Sequence, residues 1–326
     1  VSGEFERIAR FFKPLAAEPF ALGLADDAAC VTPPAGQDLV VTTDTLVAGV
    51  HFLGQEPPGD IARKSLRVNL SDLAAKGATP FLYTLVLALP PTIDDAWLQA
   101  FAQALAQDQA TTGIGLIGGD MSATAGPLSI TIGAFGLVPR GCMLMRSRAR
   151  PGDHLYMSGS LGDAALGLLV AKGEVTLPEP HAAFLLNRYR NPEPRLALGP
   201  KLIGLAGAAL DISDGLLADA AHLARGSGVA LVIETALLPL SAAARAAVEA
   251  DFRLYDTLVT GGDDYEILFT VPAAEAARLR ETAAALGVPV TRIGEVRQSD
   301  GEAGVTLLDA FGRPVTLAGA GGWRHW

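Results

Sequence analysis

Aspartate outnumbers glutamate 21 to 14 in this chain, although Glu is the better helix former and Asp prefers caps and turns. Five of the acidic clusters share one format, an apolar run and then Asp flanked by Gly, Ser, Thr or Asn. They are LADDAA (24–29), TTDT (42–45), NLSD (69–72), IGGD (117–120) and DISDG (211–215), and TGGDDYE (260–266) adds a sixth. Any one of them reads equally well as a cap or a turn. Together they ask for cations, because element ends on one edge of a sheet converge in space. Hard oxygen ligands without accompanying His or Cys pairs point to Mg²⁺ rather than zinc or copper. No D-x-D-x-D-G loop is present, which argues against a dedicated calcium cage. Mg²⁺ held by a few carboxylates usually bridges to phosphates. The Gly-Gly before Asp120 and the SGSLGD turn (158–163) would let backbone approach a phosphate closely. Neither a Walker A loop nor GxGxxG occurs. The residues by themselves therefore stop at a multi-Mg²⁺ site for a phosphorylated ligand, a nucleotide in the first instance.

Two of these clusters carry a local argument. Asp72 falls in the last turn of its helix, where the macrodipole disfavours negative charge by a few tenths to about 1 kcal/mol. Asn69 and Ser65 precede it along one helix face as a polar stripe, and a cation beyond the stripe would offset the penalty. In GLADDAACV (23–31), two adjacent aspartates interrupt a run of small and apolar residues. Burial of either would require a partner. On an extended strand they would face opposite ways, one toward ligands and one toward backbone amides or an Arg.

The elements that must position these groups alternate. Strands are expected at 39–45, 81–89, 113–120 and 128–138. Helices are expected at 59–77, with Asp60 as N-cap and Gly77 just past the end, and at 94–110. FLYTLVLAL (81–89) reads as a buried strand. RSRARPGDHLYMSG (146–159) marks a joint, and strand–helix alternation resumes beyond it with HLYMS, ALDIS, VALVIET and YEILFTV. The expectation is an α/β (α+β) chain in two domains, 1–148 and 149–326.

Composition narrows the class. A net charge of −10 repels polyanions, so nucleic acid is not an expected partner. No window approaches the roughly 18 apolar residues of a membrane span, and the first residues lack a signal-peptide pattern. The two cysteines, Cys30 and Cys142, lie far apart without metal spacing and read as core thiols. Together these features suggest a cytoplasmic protein.

At TTDTLVAGVHF, NLSDLAAKGA, LIGGD, RPGD, DISDGL and GGDDYE, in this order, the chain resembles the thiamine-monophosphate kinase family, of the aminoimidazole ribonucleotide synthetase-like ATP-binding superfamily. The resemblance runs almost from residue 3 to 326. It implies ATP-dependent phosphorylation of thiamine monophosphate to thiamine diphosphate. It also implies a homodimer joined through N-terminal sheets, a larger C-terminal α/β domain, and several Mg²⁺ ions in an interdomain cleft. Carried over by motif position, Asp27, Thr42, Thr43, Asp44, Asp72, Asp120, Asp211 and Asp214 would be metal ligands. Gly119, Asp120, Arg146 and Ser213 would contact ATP, and His51, Asp263 and Trp323 would contact thiamine monophosphate. No residue is expected as general base or nucleophile. Asp26 is left a bracing role. Two departures stand out: Ala25 replaces the family's usual Gly, and Asp263 replaces a frequent Glu, so Asp264 competes for the substrate role. The rival readings are another ATP-using enzyme of the superfamily, such as aminoimidazole ribonucleotide synthetase, and a non-catalytic Mg-nucleotide-binding regulator.

Overall fold

The structure is a computed structural model that describes residues 3–17 and 19–315. The chain divides into two compact units, Val1–Leu73 with Ala78–Gly141, and Ala74–Gly77 with Cys142–Trp326.

The first unit opens with a short helix α1 (Glu4–Arg7) and tight turns to Leu15. It continues through β1 (Gln37–Val47), α2 (Pro58–Ala75), β2 (Thr79–Leu89), α3 (Asp95–Thr112), β3 (Gly115–Ala123) and β4 (Ser129–Pro139). The strands form one sheet in the order β1-β4-β2-β3, antiparallel except for the β2–β3 pair. Its two faces differ, as strand alternation requires. Val40, Leu46, Tyr83, Leu85, Leu87, Ile130 and Ile132 are buried on one face, whereas Leu39, Val41 and Val86 are exposed on the other. α2 presents Leu66, Leu70 and Leu73 to the covered face at helical spacing, and all three are fully buried. At Gly136 of β4 a Cβ would stand 3.1 Å from Leu73, so a glycine lets this helix sit close on the sheet. α3 lies beside α2, with Arg67 making a two-pronged contact to Asp108 at 2.8 and 2.7 Å.

The second unit contains β5 (Asp153–Ser158), α4 (Asp163–Ala171), α5 (His181–Arg190), β6 (Ala209–Asp211), α6 (Leu216–Ser227) and β7 (Val229–Glu234). α7 (Ala242–Ala250), α8 (Leu254–Thr260), β8 (Ile267–Pro272), α9 (Ala276–Leu286), β9 (Val290–Gln298), β10 (Gly304–Leu308) and β11 (Pro314–Val315) complete it. Its sheet runs β11-β10-β7-β9-β5-β8-β6. Both faces are covered. Leu155, Met157 and Leu268 join a core with Leu216, Leu223 and Leu258, while Tyr156, Phe269 and Val271 join another with Leu198 and Leu279. Ala74 and Ala75, from the end of α2, belong to that second core.

The fold is α+β with two sheets among the described residues, as the sequence led one to expect, but several local details differ. α2 begins at Pro58, so Asp60 lies inside the first turn, 3.5 Å from Arg63, instead of capping it. Gly77, at φ 74°, does end the helix: its N–H reaches Ala74 O at 2.9 Å and that of Ala78 reaches Leu73 O at 2.8 Å. Residues 81–89 are not buried throughout, since Val86 is 37% exposed on the open face. Residues 26–28 form bends shortly after a one-turn helix (Leu22–Leu24), not a strand, so the opposite-faces argument for Asp26 and Asp27 does not apply. Both carboxylates are exposed, and the burial cost never arises. Nor are the cysteines core thiols, because Cys30 is exposed and Cys142 half-buried. The short helix α8 was not expected.

Candidate active site

Thr42, Asp44 and Asp72 come together in the first unit. Thr42 and Asp44, two residues apart on β1, share the covered face, and the Thr42 hydroxyl donates a short hydrogen bond to Asp72 Oδ2 from α2. Burial and the charge of Asp72 push the Asp44 carboxyl up to about 6. Two carboxylates crowded in this way are what a divalent cation would relieve. Thr43 points to the opposite face, with its hydroxyl donating to Ile132 O at 3.1 Å. A ligand role for Thr43 would therefore fall to its main-chain carbonyl. His51 lies in the turn after β1, and its Nδ1 accepts the Val47 N–H at 3.0 Å, which puts the proton of the neutral ring on Nε2.

A second group lies along the other edge of the same sheet. A cavity of about 320 Å³ is lined by Asp26, Asp27, Gly118, Gly119 and Asp120 together with Ile8, Phe12, Leu85 and Leu116. A lining that mixes carboxylates and glycines with apolar side chains suits a ligand with one charged and one flat apolar part. The glycine is structural as well as permissive, because a Cβ on Gly119 would stand 1.8 Å from Leu85 O of β2. Asp26 Oδ1 accepts the Asp27 N–H at 2.8 Å and so braces the bend. β1 and β3 are the two edges of the sheet, separated by three strand spacings, about 14 Å. Asp120 pairs in register with Val86 on the open face, away from Asp44. The acidic strand residues of this unit therefore form two groups, not one. Among the described residues, no three Asp, Glu, His or Cys side chains form a metal cage by themselves.

In the second unit DISDG and GGDDYE form one interlocked pair of loops. Asp263 N–H donates to Ser213 O, Tyr265 N–H to Ile212 O and Ile212 N–H to Glu266 O, each at 2.8 Å. The fit is tight, since a Cβ on Gly262 would lie 2.1 Å from Ser213 O. Ser213, Asp214 and Asp263 are thus neighbours, and Asp211, buried at the end of β6, enters the loop. Beneath it, Asp219 of α6 accepts the N–H groups of Ser213 and Asp214 at 3.1 and 3.0 Å. Burial outweighs those hydrogen bonds and lifts its carboxyl to about 7. Arg146 is exposed, and together with Asp214 it acts on His222 of α6. Trp323 lies outside the described residues.

Asp263 and Asp264 differ in burial. Asp264 is 1% exposed and accepts the N–H groups of Gly162 and Ala164, at the start of α4, at 2.6 and 3.2 Å. Those amides belong to or adjoin SGSLGD, so that turn serves its own protein's carboxylate and offers no open phosphate cradle. Glu266 is likewise buried. It accepts from Ser158 Oγ at 2.6 Å, Arg188 at 2.9 Å and Arg195 Nε at 2.6 Å. Sequence reasoning missed Asp219, Glu266, Arg188 and Arg195. The signal was unused charge in LLAD, DDYE and NRYRNPEPR, part of which pairs within its own stretch, Glu193 with Arg188 and Arg195.

Residues 25–138 match the model of the AIR synthase related protein, N-terminal domain, and residues 150–306 that of the C-terminal domain. A thiamine-monophosphate kinase of Caulobacter vibrioides is 44% identical over 99% of this chain and 90% of its own length. The crystal structure of thiamine-monophosphate kinase from Stenotrophomonas maltophilia superposes with a TM-score of 0.82 at 41% identity, covering 90% of this chain and 93% of the other. The solved structure of AaThiL complexed with AMPPCP and TMP gives 0.78 at 31% identity, covering 99% and 97%. With relatives this similar over nearly the whole chain, the protein belongs to the thiamine-monophosphate kinase family of AIR synthase-related proteins.

Proposed function

We infer that this chain phosphorylates thiamine monophosphate with ATP, giving thiamine diphosphate and ADP. The carrying observation is the 44% identity to a thiamine-monophosphate kinase across 99% of the chain. A relative complexed with AMPPCP and TMP adds that one such fold takes both ligands.

The acceptor is a phosphate monoester whose second pKa lies near 6, so at neutral pH it is already a dianion. One of its oxygens attacks the γ-phosphorus of ATP in line, the bond to the β–γ bridging oxygen breaks, and ADP leaves. No general base is required and no phosphoenzyme is formed. The obstacle is repulsion between two anions. When bound, Mg²⁺ supplies the charge neutralisation that lets the two phosphate groups approach. The donor set fits it: Asp72 stands close enough to Asp44 for its charge to push the Asp44 carboxyl up, and every assigned ligand is an oxygen. We assign Asp27, Asp120, Asp211 and Asp214, with Thr42 and the Thr43 carbonyl, to the same task.

Gly119 and Asp120 border the cavity that takes ATP, Ser213 presents the loop to the nucleotide, and Arg146 offers an exposed cation to its phosphates. Asp263 supplies a countercharge for the thiazolium, and Trp323 a π-face worth about 0.5–2 kcal/mol to such a cation. His51 hydrogen-bonds the substrate. The 1–148 portion would carry the ATP- and Mg²⁺-binding surface and the dimer contact, and 149–326 the larger α/β scaffold. A homodimer through the open sheet face is supported by the exposure of Leu39, Val41 and Val86 there. No described helix is long and apolar enough to cross a membrane, and we place the protein in the cytoplasm.

The test is a single assay: protein, ATP, Mg²⁺ and thiamine monophosphate, with thiamine diphosphate followed by chromatography. Product that disappears with EDTA is the expected result. No product, with ATP binding indifferent to EDTA, would overturn both the kinase and the metal assignments.

A further inference from the structure

Asp263 and Tyr265 are non-glycine residues in the left-handed region, at φ 72° and 52°. Such conformations cost on the order of 1 kcal/mol or more and persist where the surroundings over-determine them. Here they do. The main chain is fixed from one side by the hydrogen bonds to Ser213 and Ile212. From beneath, it is fixed by the buried carboxylates of Asp264 and Glu266, the first on the start of α4 and the second on Arg188 and Arg195. Residues 264 and 266 point in as anchors; residues 263 and 265 are left half-buried at the surface of the loop.

With the backbone fixed, the remaining freedom of Asp263 is in its side-chain torsions. The Tyr265 hydroxyl restrains it, donating to Asp263 Oδ1 at 3.1 Å. That bond engages one carboxylate oxygen and sets the plane of the group. We propose that Tyr265 is a positioning residue for thiamine monophosphate, holding the Asp263 carboxylate in the orientation that receives the cationic end of the substrate. The proposal rests on the assignment of Asp263 to the substrate. It predicts an effect on one substrate only, because the bonds that tie the loop to Ser213 and Ile212 are main-chain to main-chain and survive loss of the hydroxyl.

Tyr265→Phe tests it, since Phe keeps the ring and the backbone preference and removes only the hydroxyl. The expected result is a KM for thiamine monophosphate raised roughly five-fold, the scale of one net hydrogen bond. The kcat, the KM for ATP and the unfolding temperature should hold. The partner variant is Asp263→Gly, chosen because glycine accepts a φ of 72° without strain. If the hydroxyl acts through Asp263, the double variant is no worse than Asp263→Gly alone. An unchanged KM in Tyr265→Phe, or a rise that persists in the Asp263→Gly background, overturns the positioning role and leaves the substrate assignment standing. If Asp263→Gly itself leaves the KM for thiamine monophosphate unchanged, the substrate assignment falls and the proposal with it.

Discussion

Asp44 is a carboxyl whose folded environment favours the proton. Its pKa rises from 3.8 to about 6 through burial and the neighbouring charge of Asp72. Between those two values the unfolded chain releases the proton while the folded chain keeps it, so stability falls as pH rises through about 4 to 6. Above that window the metal-free protein carries the whole cost of the charge pair, on the order of 2–3 kcal/mol. Asp44→Asn should therefore raise the unfolding temperature of the metal-free protein at pH 7.5 and flatten its dependence on pH between 4 and 6. The same change should lower turnover by roughly 10²–10³-fold, as loss of a charge-stabilising group does. Calorimetry across pH and a steady-state assay check the two halves separately, and a variant both less stable and fully active would refute the assignment. The placement of Thr42, Asp44 and Asp72 at element ends was legible, because period 2 on a strand and the end of a helix fix where they lie; that TTDT and NLSD meet was not, and came from the fold. Glu266 was not legible, since the fold brings its partners Ser158, Arg188 and Arg195 from elsewhere in the chain, and Asp219 was not, since its partners are main-chain N–H groups that no side-chain pattern marks.

At the scale of elements, the parallel pairing of β2 with β3 depends on a position without a side chain. Gly119→Ala would place a methyl group 1.8 Å from Leu85 O, so β3 must move away from β2 beside Asp120. The expected cost is about 2–4 kcal/mol of stability in urea unfolding. A raised KM for ATP should accompany it, with the KM for thiamine monophosphate less affected. Equal loss of both would detach Gly119 from the nucleotide. Strand and helix order along the chain could be read from periodicity, and most elements lie where the pattern put them. What periodicity does not carry is strand order: nothing in LIGGD or TTDT says that they end on opposite edges of one sheet. The grouping of the acidic residues into separate sets follows from that order.

For the whole molecule, the open face of the first sheet is the feature that calls for a partner. Val41 is 62% exposed at its edge strand, with Leu39 and Val86 on the same face. Val41→Lys should convert the proposed dimer to monomer in sedimentation velocity at micromolar concentration while leaving the circular dichroism unchanged. Wild-type protein that sediments as a monomer would remove the proposal. The second unit has a different dependence. Four of its residues, Ala74–Gly77, come from the first half of the chain. A Cβ on Gly199 would stand 2.1 Å from Ala74 O, and Lys76 Nζ donates to Ala209 O at 2.9 Å. During synthesis these residues leave the ribosome long before the rest of the core they complete, so the end of α2 must wait, unpacked, for its surroundings to be made. A C-terminal half produced alone would lack that segment, and splitting the gene at residue 142 would give one product with a gap in its core.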